Sequence, residues 1–336
     1  MADLKPSATM AAQPMAFPRL TARYLHDFRC ALLGWYANAQ RKLPWRGESD
    51  PYRILVSEIM LQQTRVAVVI ERYRRFLRRF PTAAHLARAR EQSVLAEWSG
   101  LGYYRRARSL HAAAKAVSKT AGFSRSSAEL MELPGVGRYT AAAVASICFG
   151  EPVPVVDGNV KRVLNRLTGR KLKEQDYWTV ADVLLEREQP GNFNQAMMEL
   201  GATVCLPRNP ECTRCALVQL CASRGAREDR KQERRRKATL KYVLVQRGGK
   251  LLMRQRPANA SLMPNMWELP EVQHTRRERL IQVRHSITVT DYMVLVYRGE
   301  PGADHEGVWM PLARTKRLAL TGLTRKVLRD LKLLPS

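Results

Sequence analysis

Apolar residues recur at helical spacing through the first two thirds of the chain and collect into short runs in the last 95 or so residues. The helical pattern predicts a helix over 20–40, with Phe28, Leu32, Leu33 and Trp35 as apolar anchors. A second helix is expected from Pro51, capped by Asp50, with Ile54, Leu55, Ile59 and Met60 on its apolar side. Further helices are expected over 66–80, 82–89, 91–98, 105–119, 127–132, 138–148, 160–167, 177–188 and 194–203. Beyond a basic linker at 226–240, strands are expected over 242–246, 251–254 and 293–297, with Gly248-Gly249 as a hairpin turn, then a closing helix over 318–334. The first twenty residues, rich in Ala, Pro and Met, read as a disordered tail. This is a mainly helical domain followed by a smaller α+β one.

The breaks in the pattern carry the chemistry. Leu-Pro-Gly-Val-Gly at 133–137 interrupts two helical stretches. Pro134 cannot continue a helix, and Gly135 and Gly137 are free to take positive φ. Such a turn delivers unpaired N–H groups to a helix N-terminus, an arrangement that suits a phosphate. It reads as a helix-hairpin-helix, which grips a DNA backbone without reading its bases. Asp157-Gly158-Asn159 follows shortly after. Leu43-Pro44-Trp45-Arg46 is a loop with an aromatic beside a cation, and Trp45 there suits a packed hinge. Gly102-Tyr103-Tyr104 is a break whose tyrosines suit either base stacking or a core. Glu58 lies among apolar neighbours, where a carboxyl group can serve as a proton donor, although a solvent-facing helix glutamate is the commoner case.

Charge and cysteines narrow the field. Lysine and arginine outnumber the acids 57 to 30 over 336 residues, a net charge of +27 that favours a polyanionic partner. There is no apolar run of about 18 residues and no signal-peptide pattern, so a cytoplasmic location without membrane contact is expected. The chain carries no GxGxxG, P-loop or Ser-His-Asp arrangement. Cys30 and Cys148 fall in helical, apolar settings and are expected to be buried thiols. Cys205, Cys212, Cys215 and Cys221 are spaced C-x6-C-x2-C-x5-C, which reads as a metal site. Zinc is the plain choice, but the first gap is wide for a zinc ribbon, and a [4Fe–4S] cluster is the other candidate.

The stretches LPWR (43–46), DPYRILVSEIMLQQT (50–64), GLGYYRRAR (100–108), LPGVGRYTA (133–141), VDGNVKRVL (156–164) and FNQAMMELGA (193–202), followed by the four cysteines, span about 180 residues. In this order they resemble the MutY-type adenine DNA glycosylases of the endonuclease III superfamily. The resemblance implies a two-lobed helix-hairpin-helix core, with a six-helix lobe at about 50–157 and an iron–sulfur lobe at about 21–49 and 158–225. It further implies a [4Fe–4S] cluster on the four cysteines and a cleft between the lobes. The substrate it implies is double-stranded DNA carrying adenine opposite 8-oxoguanine or guanine. A monomer associated with a bacterial nucleoid is expected. By the same resemblance, Glu58 matches the catalytic acid and Asp157 the catalytic aspartate. Tyr139 and Asn159 match neighbouring catalytic positions. Arg46 and Glu199 match the adenine pocket. Gln63 and Tyr103, with Leu61 beside them, match residues that wedge into the duplex, and Gly135 and Gly137 match the hairpin.

The residue types suit that chemistry. Adenine leaves poorly until N7 is protonated, which calls for an acid, and the resulting oxocarbenium-like sugar calls for a carboxylate. Bifunctional relatives carry a lysine where this chain has Tyr139, so strand cleavage through a Schiff base is not expected. RQRPANASLMPNMWELP (254–270) resembles the family's Nudix-like domain, expected here over 241–336 without the glutamate-rich box needed for hydrolysis. The family's Phe-Ser-His loop aligns with Ile287-Thr288-Val289 after Arg284-His285-Ser286. His285 and Thr288 are therefore the expected readers of 8-oxoguanine, with a reduced preference over guanine. Rival readings are a glycosylase for another base such as thymine, a lyase like endonuclease III, and a non-catalytic DNA-binding or redox-sensing module.

Overall fold

A computed structural model describes residues 21–120, 122–224, 235–273, 276–287, 290–300, 306–315 and 317–334. Eleven α-helices come first among these: α1 (Ala22–Ala39), α2 (Pro51–Leu61), α3 (Val66–Arg79), α4 (Ala83–Arg88), α5 (Glu91–Glu97), α6 (Arg105–Val117), α7 (Ser127–Leu130), α8 (Arg138–Phe149), α9 (Gly158–Thr168), α10 (Glu174–Leu184) and α11 (Pro190–Thr203). The cysteine segment follows, with short 3-10 turns at Cys212–Arg214 and Val218–Leu220. The remainder holds β1 (Arg236–Leu244), β2 (Gln246–Arg247), β3 (Lys250–Gln255), β4 (Trp267–Glu268), β5 (Arg279–Ile287), β6 (Thr290–Arg298), β7 (Val308–Pro311), α12 (Leu312–Thr315) and α13 (Gly322–Asp330). No helix among the described residues is long and apolar enough to cross a membrane.

The chain divides into two compact units. The first holds α1, α7 to α11 and the cysteine segment. Its core is laid down by stripes at helical spacing: Tyr24, Phe28, Leu32 and Tyr36 on α1 meet Val160, Val163, Leu164 and Leu167 of α9 and Phe193, Ala196, Met197 and Leu200 of α11. Leu33 and Trp35 flank that stripe half-buried, and Cys30 lies off it. Cys30 is exposed and Cys148 half-exposed, contrary to the expectation of two buried thiols. Thr21 caps α1 by accepting the Tyr24 N–H at 3.2 Å.

The second unit holds α2 to α6, the hairpin residues Met131–Val136 and the chain from β1 onward. Asp50 caps α2 by accepting the Tyr52 N–H at 2.9 Å, with Pro51 at the first helical position. Trp45 is packed edge-on against Tyr73 of α3, their ring centroids 5.4 Å apart, which makes it a core residue. In the carboxy-terminal part β1 pairs parallel with β6, and β6 antiparallel with β5, while β3 joins β2, β4 and β7. Gly248 and Gly249 both have positive φ, as the tight β2–β3 turn requires. Their core is Leu251, Met253, Val283, Val294 and Val296 against Leu323, Val327 and Leu328 of α13. Several features differ from the sequence reading, among them the closing helix, which spans only Gly322–Asp330. β1 begins at Arg236, inside the stretch read as linker, and residues 284–287, read as a loop, continue strand β5.

Candidate functional site

In the second unit, the helix bearing Glu58 ends near two exposed residues, Gln63 and Tyr103. Glu58 is 5% exposed on α2, among Ile54, Leu55, Ile59 and Met60. The helix stops at Leu61, and Gln63 just beyond is exposed with φ 54°. Tyr103 is 46% exposed with φ 46°. A left-handed backbone costs a non-glycine residue about 1–3 kcal/mol and persists only where surroundings impose it. Gln63, Tyr103 and Gly135 share the lining of a cavity of about 340 Å³ with Gln62, Arg105, Arg106 and Ser109. The paired tyrosines thus split: Tyr104 is buried, and its hydroxyl donates to Leu320 O at 3.2 Å. Gly135 takes φ 75°, and a Cβ there would sit 2.3 Å from Ser109 Cβ, so only glycine serves. Gly137 does not take positive φ. It is the N-cap of α8 at φ −91°, ψ 174°, and nothing lies within 4 Å of where its Cβ would be. Arg46 is half-buried in the turn closed by its N–H to Leu43 O.

In the first unit, α9 carries a polar chain along its length. Asp157 caps it, accepting the Val160 N–H at 2.7 Å and Asn159 Nδ2 at 2.8 Å. Burial pushes the Asp157 carboxyl up, and those hydrogen bonds only partly oppose it. Arg162 donates to Asn159 Oδ1 at 2.9 Å, to Gly201 O at 2.7 Å and to Cys205 O at 2.8 Å. Gly201 lets α11 approach: a Cβ there would lie 2.7 Å from Asn159 Cβ. Tyr139 donates its hydroxyl to Met198 Sδ at 3.3 Å. Glu199, 1% exposed, receives both the Arg41 guanidinium, at 2.6 and 3.0 Å, and the Arg41 N–H, at 3.1 Å. These bonds hold Arg41 more firmly protonated than usual and make the buried carboxylate tolerable.

The four clustered cysteines form no disulfide and line one cavity of about 30 Å³. Arg166, one turn beyond Arg162, donates to Cys205 Sγ at 3.3 Å, and Cys221 Sγ donates to Arg166 O at 3.3 Å. Burial pushes the Cys215 thiol up to about 11, so a metal must displace a firmly held proton there. No group of three or more His, Cys, Asp or Glu among the described residues is set to hold a metal ion. A shared cavity, free thiols and an adjacent guanidinium nonetheless fit an anionic polythiolate cluster, and Arg166 would balance its charge.

His285 lies half-buried on β5, its imidazole pushed down by burial and, second, by Lys326. With Arg284, Ser286 and Asp291 it lines a cavity of about 590 Å³. Thr288 lies outside the described residues.

Residues 56–181 match the family described as HhH-GPD superfamily base excision DNA repair protein. The chain carries an HhH-GPD core. Over 214 residues it is 45% identical to the adenine DNA glycosylase of Homo sapiens, covering 59% of this chain and 39% of that protein. The HhH-GPD core also resembles a thermostable thymine-DNA glycosylase, with 29% identity and a TM-score of 0.57 over 60% of this chain and 97% of that one. Endonuclease III trapped on DNA shares the fold, with 23% identity and a TM-score of 0.53 over 60% and 96% of the two chains. The chain spans less than half the length of the animal and plant relatives it matches.

Sequence reasoning passed over Arg41, Arg106, Arg162 and Arg166, which organise these sites. In so basic a chain, single arginines give little signal. The one trace is the i, i+4 spacing of Arg162 and Arg166 on the helix that starts at Asp157.

Proposed function

We propose that this protein is a monofunctional DNA glycosylase that removes adenine paired with 8-oxoguanine or guanine in duplex DNA, leaving an intact abasic site. The observation that carries the reading is the buried Glu58 on a helix that ends at the exposed, left-handed Gln63, with Tyr103 beside it. The adenine DNA glycosylases among its relatives supply the base. Gln63 and Tyr103 fill the gap left by the flipped nucleotide, while the hairpin at Gly135 and Gly137 and the N-terminus of α8 hold phosphate. Glu58 protonates N7, which weakens the glycosidic bond. Asp157, kept in place by Val160 and Asn159, offsets the positive charge that develops on the sugar. Glu199, fixed by Arg41, and Arg46 belong to the adenine pocket. Tyr139 holds the place where lyase relatives carry an amine, so the strand stays intact.

The carboxy-terminal part is a Nudix-like domain that reads the base opposite adenine through His285 and Thr288. The cavity beside Arg284 and His285 supports this. Without the Phe-Ser-His set, preference for 8-oxoguanine over guanine is smaller than in members that keep it, since one hydrogen bond contributes about 0.5–1.5 kcal/mol.

The test is single-turnover excision from duplexes containing A:8-oxoG, A:G, T:G and an oxidised pyrimidine, at one fixed salt concentration. Adenine release from the first two is expected, without strand scission. Thymine release from T:G without adenine release would assign the chain to the specificity its thymine-glycosylase likeness suggests.

Cys205, Cys212, Cys215 and Cys221 would hold a [4Fe–4S] cluster. The six-residue gap between Cys205 and Cys212 is wide for the paired cysteines of a zinc ribbon. When bound, the cluster supplies a crosslink that ties residues 205–221 together next to α9. Anaerobically prepared protein is expected to be brown, with about four irons per chain. A colourless, iron-replete preparation holding one stoichiometric zinc would refute this.

A further inference from the structure

Arg106 is used by none of the steps above, yet it has the densest set of polar contacts around Gln63 and Tyr103. Its Nη1 lies 2.9 Å from both Ile59 O and Met60 O and also donates to Gln62 O. These are carbonyls at the C-terminal end of α2, where the helix leaves its last acceptors without partners. Its Nη2 lies 3.0 Å from Thr64 Oγ1, 3.0 Å from Leu101 O and 3.2 Å from Gly102 O. The guanidinium also sits 5.5 Å from the centroid of the Tyr103 ring. All six acceptors are neutral oxygens. Three are carbonyls within residues 59–62, just before Gln63, one is the Thr64 hydroxyl just after it, and two are the carbonyls of the residues immediately before Tyr103. Gln63 and Tyr103 both hold a backbone that nothing in their own chemistry favours.

We propose that Arg106 is the positioning residue of the DNA-facing loops: one planar guanidinium locks the end of α2 to the Gly102 turn and so holds Gln63 and Tyr103 in their left-handed, exposed conformations. The fork matters as much as the charge. Its two amino groups diverge within one rigid plane, so Nη1 serves the end of α2 while Nη2 bridges Thr64 and the Gly102 turn, whereas a lysine ammonium is a single point. The α2 loop cannot drift relative to the turn without stripping a half-buried cation of its acceptors, an arrangement that breaks as a unit. Burial in this neutral cage lowers the guanidinium to about 10, which leaves it charged at neutral pH. As to function, the inference rests on the glycosylase reading: loops set in advance help to open the base pair, whereas bond cleavage belongs to other residues.

The experiment compares wild type, Arg106→Met and Arg106→Lys in the full-length protein. Without DNA, hydrogen exchange is expected to accelerate at least tenfold in both residues 59–64 and 100–104 of Arg106→Met, with the strands of the carboxy-terminal domain unchanged. Loss confined to one segment, or spread over the whole chain, would overturn the two-loop lock. In single-turnover excision, Arg106→Met is expected to lose at least tenfold more rate on adenine paired with 8-oxoguanine than on adenine opposite an abasic site, which needs no pair opening. Equal losses on the two, or no loss on either, would refute the positioning role. Arg106→Lys is expected to behave like Arg106→Met in both measurements, and full recovery by lysine would show that charge alone is sufficient. Wild-type protein inactive on every duplex would instead defeat the glycosylase reading and the functional half of this inference, leaving the two-loop lock to the exchange data.

Discussion

Glu58→Gln is expected to abolish adenine release, lowering the single-turnover rate by about 10²–10⁴-fold, the usual loss on removing a general acid. The substitution is well matched to the question. Glu58 is 5% exposed on α2, so the site tolerates no large change in shape, and glutamine keeps the volume. An amide cannot give up a proton to N7. Mismatch affinity, assigned under the proposal to Gln63, Tyr103 and the hairpin rather than to Glu58, is expected to stay within about threefold, or about 0.7 kcal/mol. Binding and chemistry should therefore separate in this one variant. A rate equal to wild type would move the acid elsewhere. Loss of rate together with loss of binding would show that Glu58 acts through the shape of the α2 terminus, a role already occupied by Arg106.

Much of the fold was legible because its signals are local. The cap at Asp50 and the Gly248-Gly249 turn each follow from neighbours a few residues away, and the helices from α1 to α11 follow from apolar stripes. The departures come from information that is not local. Gly137 was credited with positive φ because glycine permits it, but the bend is completed at Gly135, where Ser109, distant in sequence, leaves no room for a Cβ. Residues 284–287 read as a loop because they align with the family's Phe-Ser-His loop. They are a strand because β6 pairs with them, His285 opposite Tyr292 and Ser286 opposite Asp291. Cys30 looked buried because it stands among apolar residues, but the stripe at 24, 28, 32 and 36 turns it outward.

Legibility of the candidate site stopped at a similar limit. The family resemblance named Glu58, Asp157, Gln63 and Tyr103, and spacing named the cysteines, since each lies in a short, unusual string. Neither could name the arginines that hold them. Arg41 meets Glu199 across 158 residues, and Arg106 meets Ile59 across 47. A partner at such a distance leaves no trace in spacing, and in a chain with 57 basic residues it leaves none in composition.

Asp157→Asn is expected to cost nearly as much activity as Glu58→Gln, about 10²–10³-fold, while the fold survives. Asparagine is itself a strong N-cap, so its oxygen can still take the Val160 N–H, and α9 keeps its start. What disappears is the negative charge proposed to balance the developing sugar cation, along with the bond from Asn159 Nδ2, which would now face a donor. The stability consequence runs the other way. Burial raises the Asp157 carboxyl above its ordinary value, so between the unfolded and folded pKa values the native state holds more protons. Stability therefore falls as pH rises through that window, and at neutral pH the ionised carboxylate is a net cost. Removing it offsets the lost hydrogen bond, so Tm at pH 7 is expected to lie within about 4 °C of wild type. Any advantage of the variant should shrink as pH falls through that window and be gone below about 4, where the wild-type carboxyl is protonated in both states. Activity within threefold of wild type would reduce Asp157 to a helix cap. A collapse in Tm at pH 7 would show instead that its hydrogen bonds outweigh the cost of its buried charge.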